Sequence, residues 1–152
     1  MFLRRMLVLL FCTAVSVWAA DTILGTWKLN VAKSKYNPGP APKSQTRIYE
    51  KNGAGITVRL VTIEADGQSS SIELPANVDG KDYPIMAPGP ADAIALTKID
   101  AQTDEAILKH GDVVVGISRR VISQDGKSMT ITYKGTDPMG QQVDNMGVYE
   151  KQ

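Results

Sequence analysis

The stretch Gly25-Thr26-Trp27-Lys28-Leu29 decides how the rest of the chain is read. The indole of Trp27 is a large apolar ring that other parts of the chain must cover. The segments C-terminal to it read as strands able to wrap back onto that tryptophan.

Residues 22–29 have a strand pattern, and 30–44 form an extended connection in which Pro38, Pro40 and Pro42 alternate with other residues. Those prolines fix φ and remove donors, leaving room for one helical turn at most, within 31–36. Strands are then predicted at 45–51, 56–63, 70–74, 83–86, 93–99, 106–108, 113–121, 129–133 and 143–150. Asn52-Gly53-Ala54-Gly55, Asp66-Gly67, Asp79-Gly80, Gly111-Asp112, Asp125-Gly126 and Asp137-Pro138-Met139-Gly140 supply turn chemistry between them. No segment keeps a helical period. Short antiparallel strands joined by hairpin turns predict an all-β, antiparallel up-and-down β-barrel of about 8–10 strands, because closure removes exposed sheet edges. A β-sandwich would need longer crossovers than this chain offers.

If 83–86 is a strand, every odd-numbered connection falls at the rim opposite Trp27. Both Pro-Gly-Pro-Ala copies, at 38–41 and 88–91, then decorate one mouth.

The chain has 152 residues, 43% hydrophobic and 22% charged, in the range of one globular domain. Its beginning reads differently. Arg4 and Arg5 precede an apolar run at 7–17, and Val17-Trp18-Ala19 places small residues where a signal peptidase reads them, so 1–19 is expected to be a secretory signal peptide and 20–152 a single domain. The apolar run is shorter than the roughly 20 residues that span a bilayer. Phe11 before Cys12 speaks against lipid modification there, and cleavage after Ala19 would remove the chain's single cysteine. The expected destination is the periplasm or the exterior. Without Arg4 and Arg5 the formal net charge passes from +1 to −1, with no block of like charges to hold nucleic acid or an anionic membrane.

A Gly-x-Trp opening the first strand, ahead of a meander, resembles the calycins: lipocalins, fatty-acid-binding proteins and avidins. The likeness implies that Gly25 bends the chain at a closed barrel end and that Trp27 plugs the floor under a basic side chain from a late strand. More narrowly, Trp27-Lys28-Leu29-Asn30, Lys33-Ser34-Lys35-Tyr36, Pro38-Gly39-Pro40 and Asp125-Gly126-Lys127-Ser128-Met129-Thr130 are similar to small exported lipocalin-like proteins of soil bacteria. The C-terminal helix and disulfides of lipocalins proper are missing from this pattern.

Alternation along 113–121 puts Val113, Val115, Ile117, Arg119 and Val121 on one face, expected to point inward. Arg119 could then clamp a ligand carboxylate, as in fatty-acid-binding proteins. Alternatively Arg119 or Arg120 covers Trp27 by a cation–π contact. Tyr133, beside Ile131, is placed toward the mouth, either orienting a ligand or bonded to nearby backbone, and Tyr36 is a further candidate. Ile94, Leu96, Val115, Ile117 and Ile131 would line the interior.

Catalytic templates are incomplete. His110 is the single histidine, which leaves a His-based metal site or a Ser-His-Asp triad resting on one ring in a turn. Gly126-Lys127-Ser128 lacks the earlier glycine of a phosphate loop, and Asp104-Glu105 is read as a solvated turn. The reading is a monomeric exported barrel that takes a small apolar or amphipathic molecule, without cofactor or metal. Alternatives are a protein-interaction module or protease inhibitor, and a cofactor-free isomerase or cyclase.

Overall fold

In the computed structural model, residues 20–137 and 139–152 are described; the expected signal peptide at 1–19 and Pro138 lie outside the described residues. The alternating runs form ten strands: β1 (Gly25–Leu29), β2 (Ser44–Asn52), β3 (Gly55–Ile63), β4 (Ser69–Pro75), β5 (Asp82–Pro84), β6 (Ala93–Lys98), β7 (Thr103–His110), β8 (Val113–Ile122), β9 (Ser128–Thr136) and β10 (Gln142–Lys151). Each pairs antiparallel with the next except β4 and β5, and β10 returns to β1, so the order β4-β3-β2-β1-β10-β9-β8-β7-β6-β5 curls into a nearly closed up-and-down barrel. The unpaired seam lies between β4 and β5. Closure rests on the pairs Trp27–Lys151, Lys28–Glu150 and Leu29–Tyr149. A bridge between Lys35 and Met146 extends the same contact toward the rim.

Turn chemistry works as its residue types suggest. At Asp125-Gly126 the glycine has φ 68°, which a side chain would resist, and Asp125 Oδ1 accepts from the Lys127 amide at 3.0 Å. Asp66 and Asp79 make the same bond to the amides of Gln68 and Lys81.

Several boundaries differ from the sequence reading. Residues Ala20–Ile23 form a helical turn (α1) rather than the start of β1, and the Ile23 carbonyl receives the Trp27 indole N–H at 2.7 Å. A single 3-10 turn covers Val31–Lys33. The fifth strand is Asp82–Pro84 rather than 83–86, and Met86 is 90% exposed beyond it. The seventh strand begins at Thr103, so Asp104-Glu105 is strand and not a solvated turn.

Trp27 is fully buried and forms the floor with Ile23, Leu29, Ile122, Met129 and Tyr149. Gly25 reaches φ 112°, and its Cα hydrogen faces the Lys151 stem, where an added Cβ would lie 3.5 Å from Cε. The expected basic cover over the indole exists, but it is Lys151, with Nζ 5.2 Å from the ring centre, and neither Arg119 nor Arg120. Register explains this: Lys151 is directly opposite Trp27, whereas Arg120 lies opposite Asp104 on β7 and over the Tyr49 ring. A second, smaller cluster of Ile94, Leu96 and Ala106 packs at β6 and β7.

Candidate functional site

Between the two clusters the barrel encloses a cavity of about 130 Å³, whose apolar wall is Val58, Leu74, Ile94, Leu96, Leu108 and Ile131. Its polar wall comes from the inward residues of β2, β7, β8 and β9: Arg47 and Tyr49, Asp104, Ser118 and Arg120, and Tyr133. Leu74, Leu108 and Tyr133 also border a larger space of about 440 Å³ at the mouth, ringed by Pro88-Gly89-Pro90-Ala91, Ile85, Val143 and Asn145. These three side chains form the border that interior and mouth share. A neighbouring groove of about 350 Å³ carries the other proline segment, with Pro38, Pro40 and Pro42 beside Tyr36 and Gln45. As parity along the meander predicts, both Pro-Gly-Pro-Ala copies stand at one rim.

The face assignment of β8 is a correction. Gly116, Ser118, Arg120 and Ile122 turn inward, while Ile117 is 47% exposed and Val113, Arg119 and Val121 are exposed with it. Arg119 cannot clamp a ligand inside the barrel, and Ile117 does not line it. Val115 is partly buried at a bulge, where Leu108 faces Gly116 but Lys109 faces Val114. The inward face of β8 is small or polar because it accommodates a tyrosine from β9 and a carboxylate from β7, which a run of valines would exclude. Leu96 and Ile131 line the cavity as expected, and Tyr133 stands between it and the mouth.

Tyr133 lies on a glycine cradle. A Cβ at Gly116 would fall 2.6 Å from its ring, and one at Gly135 would meet the Val115 carbonyl and the Tyr133 hydroxyl. The hydroxyl donates to the Thr136 carbonyl at 2.9 Å, and burial raises its pKa. Gly116→Ala should force the ring out of place at a cost of about 1–3 kcal/mol. In a Tyr133→Val background the same alanine should cost well under about 1 kcal/mol, a difference that urea denaturation of the four proteins would measure.

Two cations share the interior, and they differ in their partners. Arg120 donates through Nε and Nη2 to Asp104 Oδ2 at 3.1 and 2.7 Å, with both side chains buried. Burial opposes its charge, but Tyr49 and Asp104 outweigh that and hold its pKa above the ordinary arginine value. Arg47 lies in the row of Trp27, its guanidinium carbon 5.0 Å from the centre of the Tyr149 ring. Tyr149 donates to Gln45 Oε1 at 2.6 Å. Burial, reinforced by Tyr149, pushes the Tyr36 phenol far up, so it stays neutral. Sequence reasoning missed both Arg47 and Asp104. Arg47 shares the parity of Gln45 and Tyr49, and Asp104 that of Ala106 and Leu108, so alternation carried a signal that charge alone obscured.

His110, at the end of β7, is exposed with Nδ1 3.2 Å from Asp92 Oδ2. Among the described residues no group of three or more His, Cys, Asp or Glu converges as a metal site would require.

Comparison by sequence finds no matching family model and no matching curated protein. By structure the chain is similar to zebrafish ileal bile acid-binding protein complexed with cholic acid, at TM-score 0.54 and 12% identity over 86% of this chain and 99% of that one. It is also similar to a DUF3598-family protein of unknown function from Nostoc punctiforme, at TM-score 0.54 and 14% identity over 87% of this chain, which spans 48% of that protein's length. At such identities the likeness carries the fold alone, an antiparallel barrel.

Proposed function

We propose that this chain is an exported, monomeric calycin-like barrel that binds a small apolar or amphipathic molecule in its interior. The observation that carries this reading is the apolar-walled cavity inside the barrel, bordered by the space at the mouth at Leu74, Leu108 and Tyr133. Binding recesses for small molecules combine such walls with a few convergent polar groups, here Arg47, Ser118 and Tyr133. The bile acid carried by a barrel of the same fold supports the same class of ligand. Export rests on the sequence pattern of residues 1–19.

The interior is a recess rather than a filled core, which favours ligand binding over the inhibitor reading. Native mass spectrometry of the protein isolated from its own cells is expected to show a small-molecule adduct that is lost on denaturation. A clean apo mass together with a co-purified protein partner would overturn the reading.

A further inference from the structure

The polar wall of the cavity contains an uncompensated positive charge. Asp104 answers Arg120, but among the described residues no ion pair reaches Arg47, and Arg47 Nε is a buried donor without a hydrogen-bond acceptor. The guanidinium stays protonated in any protein setting. Leaving a buried charged donor unmet is costly, and a buried cation normally has a counter-ion. Stacking on Tyr149 engages the face of the guanidinium and leaves the in-plane Nε–H without an acceptor. Tyr149, whose own proton goes to Gln45, and Tyr49 offer phenol oxygens to other N–H groups of the guanidinium, but a phenol supplies no counter-charge. What the site lacks is an in-plane acceptor that also carries negative charge, and a carboxylate supplies both.

Size narrows the class. An interior of about 130 Å³ matches the volume of a benzene-sized cavity rather than that of a coiled long alkyl chain. Counting Arg47, Arg120 and Asp104, the wall carries one net positive charge, which one anionic group would neutralise.

Resting on the binding role proposed above, we infer that the ligand is a compact organic monoanion, an aryl or short-chain carboxylate. Its carboxylate is read by Arg47, its ring or short chain lies against Val58, Leu96 and Ile131, and any further length rises past Tyr133 into the mouth.

Calorimetric titration of the purified protein with 4-butylbenzoate and 4-butylbenzamide tests this, since the pair differ in charge and hardly in shape. The benzoate is expected to bind about tenfold or more tighter than the amide. Arg47→Met, which keeps volume and removes an unpaired buried charge, should fold with an unchanged or higher Tm. In that variant the ratio should fall to about one while the amide binds as before. Arg47→Lys retains charge without the planar fork and should lie between the two, providing a second reading should the methionine variant fold poorly. Equal affinities in the wild-type protein would overturn the carboxylate assignment and leave the binding role standing, as would a ratio that survives Arg47→Met. Failure of both probes to bind would overturn the compact-ligand assignment, and a clean apo mass in the native spectrum would separately remove the binding role.

Discussion

Replacing Asp104 by alanine is expected to destabilise the barrel by about 3–5 kcal/mol, a large share of the roughly 5–15 kcal/mol that holds a domain of this size together. The Asp104 and Arg120 side chains are only 7% and 8% exposed, so water does not screen the charge left behind. Removing the carboxylate strands Arg120 among Tyr49, Ile131 and Ala106 with two donors unmet. The opposite expectation holds for the pair. Asp104→Leu together with Arg120→Met should be near neutral or stabilising, because two desolvated ions are exchanged for packing. Urea denaturation of the singles and the double closes the cycle, and a single-mutant loss under about 1 kcal/mol would mean that water or another acceptor reaches Arg120.

Trp27→Ala should cost about 3–5 kcal/mol, the range for a large aromatic removed from a core. The indole is fully buried, donates to Ile23 at 2.7 Å and lies beneath Lys151. Truncation would open a void at the seam where β1 and β10 pair through only three residues each, so barrel closure and core packing weaken together. Trp27→Phe should lose less, about 1–2 kcal/mol, since most of the ring remains while the hydrogen bond to α1 goes. Denaturant midpoints and slopes for both variants check this. A lowered slope in Trp27→Ala would indicate that the floor has opened in the native state.

Much of the architecture was legible from local chemistry. Period-two alternation, Asp-Gly turns and proline segments confined to connections suffice to specify an antiparallel meander of about 8–10 strands, and the structure fixes the number at ten. The parity of that meander placed residues 38–41 and 88–91 at the same rim. The site was less legible. On β8 the apolar set Val113, Ile117 and Val121 faces outward and the set Gly116, Ser118, Arg120 and Ile122 faces in. Valine and isoleucine favour strands whichever face they occupy, so their alternation marks a strand without marking its inside. The rule that apolar means inward fails where the inside must leave room for a tyrosine ring and a buried ion pair. For the same reason Asp104 reads as turn chemistry when taken with Glu105 alone.

The residues alone commit this chain to an antiparallel barrel floored by Trp27, because alternation, turn chemistry and the need to bury an indole are local or nearly local constraints. Which cations enter the interior, and which of them has a counter-ion, was settled by the folded barrel. That depends on register: Lys151 reaches Trp27 and Asp104 reaches Arg120 because closure sets them opposite one another. Arg47 is left facing the cavity without a carboxylate because no acidic residue occupies the matching position across the strands. Which strand positions meet across a closed sheet is a property of the whole barrel, and no single stretch of sequence contains it.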